Sequence, residues 1–172
     1  RKNVRHQFRN HAVISSRVVR GKEEEAAKFR DYFEFSEPLK KCPGHRILAM
    51  RRGEQEGFLR LTIGPDAERT IASLEKLFVK SSAGSGMQVK EAVRDSYKRL
   101  MQPSIENEFK AIHKEKADLE AIRVFATNLR QLLLASPLGQ KKVLAIDPGY
   151  RTGCKVVCLD QHGNLLHNET IF

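Results

Sequence analysis

The sequence predicts a mainly α chain: a multi-helix region with one long scaffold helix, followed by the first strands of an α/β domain. Three observations predict this. From Ile105 to Leu133 apolar residues keep helical spacing, for about eight turns at 3.6 residues per turn. The run "VLAID" (143–147) is apolar on both faces and reads as a central strand covered on both sides. Two more β-rich runs, "CKVVCLD" and "LLHNETIF", follow on either side of "DQHGN", whose Asp160, Gly163 and Asn164 supply hairpin-turn chemistry.

The elements follow in order. Val4, Phe8 and Ala12 recur at helical spacing among basic residues, and "VISSRVV" after them is β-rich but ambiguous. Gly21 punctuates. "KEEEAAKFRDYFEF" is expected to be a helix, with Glu23, Glu24 and Glu25 in its first turn, where the amide dipoles favour negative charge. Ala26, Phe29 and Phe33 would form its inner face. "SEPLKKCPGH" breaks it: Ser36 caps a short turn with Pro38 inside, and Pro43-Gly44 ends that turn.

"HRILAMRRGEQEG" resumes as a helix, with Ile47, Leu48 and Met50 apolar and Arg46, Arg51 and Arg52 exposed. "FLRLTI" (58–63) reads as a short strand or an extended connector, closed by Gly64-Pro65. "DAERTIASLEKLFVK" is a helix capped by Asp66, with Ile71, Leu74, Leu77 and Phe78 on one stripe. "SSAGSG" (81–86) is a flexible loop. The helix after it would bury Val89, Val93, Tyr97 and Leu100. Pro103-Ser104 is expected to end that helix and cap the long one, about 104–135. Pro148-Gly149 would turn the first strand of the last part into the second, with Gly153 relieving a further turn. The expected organisation is thus a helical N-terminal region with a short extended segment (1–64), a second helical region (65–141), and the opening meander of an α/β domain (142–172).

Composition narrows function. There are 31 Lys+Arg against 21 Asp+Glu in 172 residues, a formal charge of +10. Such an excess favours a polyanionic partner, and phosphates are the commonest dense negative surface. No apolar run approaches the ~20 residues that cross a bilayer. Arg1 opens in mid-pattern and the last residues stop in an apolar run, so a piece of a longer chain is expected. Cys42, Cys154 and Cys158 are an odd number. Along a strand, Cys154 and Cys158 would lie roughly 13 Å apart, beyond disulfide reach, so reduced thiols are expected.

Asp147 is the residue that suggests chemistry. An acid at the carboxyl edge of a strand, followed by a glycine turn and two further strands, fits ribonuclease-H-like enzymes, where it binds the first metal. It also fits the actin and sugar-kinase fold, where the hairpin cradles ATP phosphates. In both, carboxylate oxygens meet a divalent cation that bridges to phosphate. Two-metal chemistry needs several convergent acids, and Asp147 is the sole acid of its strand. Its bland roles are bracing the Pro-Gly turn or accepting backbone N–H bonds. The six histidines are scattered, with His6 and His11 off the i, i+4 spacing of paired helical ligands. Neither a Walker loop nor GxSxG occurs. The expectation is no enzyme, no cofactor and no metal.

Four segments, "GKEEEAAKFRDYFEFSEPLKK", "HRILAMRRGEQEGFLRL", "AIRVFATNLRQLLLASPLG" and "VLAIDPGYRTGCKVVCLDQHGNLL", resemble in order the bacterial Tex transcription accessory proteins. The resemblance implies a helical region leading into a YqgF domain of ribonuclease-H-like fold, with helix-hairpin-helix elements and an OB-fold RNA-binding domain further on in the family. It implies binding of RNA or single-stranded nucleic acid, contact with the transcription machinery and a cytoplasmic location. The "DPG" at Asp147 also resembles Holliday-junction resolvases, and a metal-dependent nuclease using Asp147 is the alternative. The candidate phosphate contacts are Arg46, Arg51, Arg52, Arg94, Lys98 and Arg99. The open edge of the last strands is expected to seek pairing with another chain.

Overall fold

Val4 and Phe8 lie one helical turn apart. A computed structural model, which describes residues 1–81, 84–149 and 151–172, buries both on one side of helix α1 (Lys2–His11). Ala12 leaves the helix in extended geometry and the side-chain period drops to 2 in strand β1 (Val13–Val18). Ile14 and Ser16 point into the core, and Val13 and Arg17 point out. The ambiguous β-rich segment is therefore a strand. Strands β2 (Glu34–Pro38) and β3 (Leu59–Gly64) flank it in an antiparallel sheet of order β2-β1-β3.

The helix expected over "KEEEAAKFRDYFEF" is corrected. Residues 23–26 form turns, Ala27–Tyr32 is a short 3₁₀ segment in which Phe29 leaves helical angles, and Glu34 begins β2. Ser36 and Pro38, read as a cap and a first-turn proline, lie in that strand. Pairing with β1 outweighs local propensity, which is modest for an aromatic-rich stretch. β2 is an edge strand, so Pro38 withholds no ladder hydrogen bond there.

Helix α2 (Gly44–Gln55) follows Pro43 as expected, and it ends by a local rule. Gly57 has φ +75°, Phe58 N–H donates to Gly53 O at 2.9 Å, and Gly57 N–H donates to Glu54 O at 3.1 Å. This is the paired hydrogen-bond pattern of a glycine-stopped helix. Asp66 accepts the Arg69 N–H at 2.7 Å and caps helix α3 (Ala67–Phe78). Asp66→Ala is expected to cost about 1 kcal/mol, read as a melting point lower by about 3 °C for a chain of this size. Leu77 and Phe78, placed on the inner stripe from the sequence, are exposed; Thr70, Ile71 and Leu74 carry the contact.

Helix α4 (Gly84–Asp95) begins within the segment expected to be a loop, of which Ser82 and Ala83 lie outside the described residues. The break expected at Pro103-Ser104 is absent. A π segment (Ser96–Met101) leads straight into helix α5 (Gln102–Leu133). Gln102 N–H donates to Tyr97 O, five residues back. A proline leaves the carbonyl four residues before it without a donor, and one wide turn just ahead absorbs the mismatch. The wide turn carries Tyr97 into the core, where it is fully buried; Val93 is half-buried, while Val89 and Leu100, expected beside it, are exposed. The 32 residues of α5 extend about 48 Å at 1.5 Å per residue. Ile105, Phe109 and Ala117 are buried, whereas Leu119, Ile122 and Phe125 are exposed.

One core collects residues from both sides of Gly64: Val4, Phe8 and Ile14 with Ile71, Tyr97, Ile105 and Phe109. Arg1–Thr127 forms one compact unit and Asn128–Phe172 a second. Within the first, α2 meets α5 at small residues. A Cβ on Gly44 would stand 3.3 Å from Ala117 Cβ; on the side of α2 toward β3, one on Gly53 would strike Leu59.

The second unit holds strands β4 (Val143–Gly149), β5 (Gly153–Leu159) and β6 (Leu165–Ile171), antiparallel in the order β4-β5-β6. β4, expected as a central strand, pairs with β5 alone among the described residues, and Leu144 and Ile146 are exposed. Apolar composition reports what a strand can bury, not which neighbour it has. Pro148-Gly149, expected as the turn, continues β4 to its last pair, Gly149 with Gly153. Gly153 has φ +78°, and a Cβ there would meet Thr170 and Ile171. The Asp160–Asn164 turn is as expected. Asp160 Oδ1 accepts N–H bonds from His162 and Asn164 at 2.8 and 2.9 Å, and the Asn164 bonds hold its carboxyl below the usual range.

Candidate nucleic-acid interface

The six cations chosen from the sequence fall into two groups. Arg46, Arg51 and Arg52 sit on α2; Arg94 ends α4, and Lys98 and Arg99 lie on the π segment. Every one faces a carboxylate. Arg46 pairs with Glu37 at 3.1 Å, Arg51 with Glu54, Arg52 with Glu56 at 2.8 Å, Arg94 with Glu75 at 2.7 Å, and Arg99 with Asp95 at 2.8 Å. Lys98 stands 3.8 Å from Glu68. The bond from Arg94 keeps the Glu75 carboxyl below its ordinary range, and that from Arg99 does the same for Asp95. Glu56 is lowered by Lys28 first and Arg52 second. Exposed pairs of this kind contribute only about 0–1 kcal/mol, but each sets a carboxylate where a phosphate oxygen would have to sit.

Cations outside that set are freer. The side chains of Arg17, Lys41, Arg60 and Arg69 make no hydrogen bond or ion pair among the described residues, and Lys40 bonds only the neutral Asn10 side chain at 3.1 Å. Lys40, Lys41 and Arg69 line a cleft of about 710 Å³ together with His11, Asn10 and Asp66, the last already engaged as the α3 cap. The sequence displayed these residues. It did not display which cations lack an acid, because the pairing partners lie up to tens of positions away.

Asp147 sits on β4 opposite Lys155, exposed, with no hydrogen bond or ion pair among the described residues. The backbone N–H bonds suggested as its bland role are not made there. Among the described residues no three His, Cys, Asp or Glu side chains gather to hold a metal ion. The three thiols are free; Cys42 is buried, and burial, with the nearby Glu37 carboxylate, pushes it up to about 11. No helix among the described residues is long and apolar enough to cross a membrane.

A family model described as Tex central region-like matches residues 1–125, and one described as Tex protein YqgF-like domain matches residues 141–172. The chain belongs to the Tex family. The two Tex segments divide close to where the structure divides, at Thr127. Protein tex of Bordetella pertussis is 39% identical over 184 residues, which cover 99% of this chain and 23% of that protein. The Transcriptional accessory protein Tex of Neisseria gonorrhoeae is 37% identical over 176 residues, 98% of this chain and 23% of its own length. The human S1 RNA-binding domain-containing protein 1 is 31% identical over 168 residues, 94% of this chain and 17% of its own. The Tex chain here thus spans about a quarter of the length of its bacterial relatives.

Proposed function

We propose that this Tex-family chain belongs to a cytoplasmic transcription accessory protein that binds RNA or other single-stranded nucleic acid and contacts the transcription machinery. Arg1–Thr127 serves as a helical scaffold with a basic surface, and residues 143–171 open a ribonuclease-H-like fold used as structure rather than for catalysis. The observation that carries the reading is the charge of +10 on a chain whose relatives are named for transcription and for an RNA-binding domain. The outer edges of β4 and β6 are proposed as pairing sites for another chain, since edge strands offer unpaired backbone groups.

The test is anisotropy of a fluorescein-labelled oligouridylate titrated with the 172-residue chain between 50 and 200 mM salt. Affinity is expected to fall steeply with salt, because each phosphate contact releases counterions. A flat null at every salt concentration overturns the reading. For the non-catalytic part, no companion acids gather with Asp147 among the described residues, and two-metal chemistry needs them. Mg²⁺-dependent cleavage of branched DNA that disappears in Asp147→Asn would establish the nuclease alternative instead.

A further inference from the structure

Strand alternation and register place a row of polar groups on the outer face of the β2-β1-β3 sheet. Ile14 and Ser16 of β1, and Leu59, Leu61 and Ile63 of β3, point inward. Three rows are left outside: Glu34–Arg17–Arg60, Ser36–Ser15–Thr62, and Pro38–Val13. The last row runs into the cleft that Lys40, Lys41 and Arg69 line, since Val13 and Pro38 form part of its wall. Cations therefore stand at both ends of the face, with three hydroxyls between them.

We infer that this face and cleft form one track that holds the sugar-phosphate backbone of single-stranded RNA. The inference rests on the nucleic-acid reading above and assigns its site. Arg17 and Arg60 oppose each other across β1 and β3, an arrangement that destabilises a bare sheet. Glu34, at the far edge of that row, bonds neither. A bound phosphate relieves the repulsion. From Arg17 to Val13 the face runs about 13 Å at 3.3 Å per residue, and three strands make it about 10 Å wide. With the cleft added it takes about four nucleotides, the low end of single-strand sites.

The width suits one backbone rather than a duplex. Ser15 and Ser36 share a 3.2 Å hydrogen bond between their hydroxyls, so one of that pair and Thr62 can donate to phosphate oxygens, and all three can accept from ribose hydroxyls. No aromatic ring lies in the three rows, and Phe35 turns to the other face to pack edge-on against Tyr32 at 5.6 Å. Recognition is therefore of backbone and not of bases. Unlike the paired arginines of α2, these cations need release no carboxylate before meeting phosphate.

The experiment compares three neutralised variants of the 172-residue chain on a fluorescein-labelled oligouridylate across a salt series. They are Lys40→Gln/Lys41→Gln/Arg69→Gln, Arg17→Gln/Arg60→Gln, and, as a control that loses the same three charges as the first, Lys114→Gln/Lys116→Gln/Arg123→Gln on α5. Five phosphate contacts give the parent a log–log salt slope of about −3.5. The first variant is expected to lose about 2 of that slope and more than tenfold in affinity, and the second about 1.4. The control should stay within threefold of the parent.

If a track variant melts early, the single exposed change Thr62→Glu puts a carboxylate in the middle row and must itself weaken binding more than tenfold. Equal losses in the control and the first variant would reduce the site to net charge and overturn the inference. Parent-like slopes in both track variants would move the site elsewhere while the nucleic-acid reading stood. No binding by the parent would end both. Duplex DNA or polyglutamate competing as well as oligouridylate would overturn the assigned ligand.

Discussion

Phe8→Ala is expected to destabilise the Arg1–Thr127 unit by about 4 kcal/mol, the middle of the range for emptying a buried aromatic site. Phe8 is 1% exposed, and its ring centre lies 5.3 Å from that of Phe109 on α5. The same ring reaches the end of β3, within 3.8 Å of where a Cβ on Gly64 would stand. One side chain thus joins the first helix, the sheet and the long helix. Collapse cannot fill the void cheaply, because each wall belongs to a different element.

Denaturation followed by near-ultraviolet circular dichroism tests this, with the buried Tyr97 as reporter of this core. A melting point lower by roughly 12 °C is expected, taking about 3 °C per kcal/mol at this chain length. Phe8→Leu should retain most of the stability. Combining Phe8→Ala with Phe109→Ala should cost about 1 kcal/mol less than the separate losses together, since the second change removes a partner already gone. A loss under 1 kcal/mol for Phe8→Ala would show that α1 does not anchor the unit.

The elements that local chemistry specifies were readable from the sequence. α1 announces itself by Val4 and Phe8, α3 by its Asp66 cap, and β3 by the alternation from Leu59 to Ile63. Distant partners erased the rest. Glu34 and Phe35 look helical, and Ser36 to Pro38 look like a capped turn, until β1, some twenty positions earlier, claims them as an edge strand. Pro103 looks like a stop until the π turn before it absorbs the missing donor. The interface behaves the same way. Arg46 is plainly basic, but that Glu37 neutralises it is a fact of packing. Arg17 and Arg60 are 43 positions apart in the chain and immediate neighbours across two strands. The Tex resemblance was readable because it needs only ordered segments, whereas the charge arrangement needs the fold.

Lys110→Met tests how the sheet edge is closed, and it should cost about 3 kcal/mol, at the lower limit for breaking an enclosed charged pair. Among the described residues the outer edge of β3 has no further strand. Side chains of α5 take its place: Lys110 Nζ donates to Leu61 O at 2.6 Å, and Glu106 Oε1 accepts the Ile63 N–H at 3.1 Å. Lys110 also bonds Glu54 of α2 at 3.0 Å and Glu106 at 3.3 Å, with its own side chain 14% exposed. Methionine keeps the length of the stem and removes the charge. Two carboxylates then lose their shared cation, and a backbone carbonyl loses its donor. Adding Glu106→Gln should recover at least 1 kcal/mol, because glutamine still accepts the Ile63 N–H but carries no charge to leave uncompensated. Amide exchange gives the local readout: Ile63 should lose protection in Lys110→Met and regain part of it in the double variant. A single variant as stable as the parent, with Ile63 equally protected, would mean that α5 is held against β3 by Ile105 and Phe109 alone.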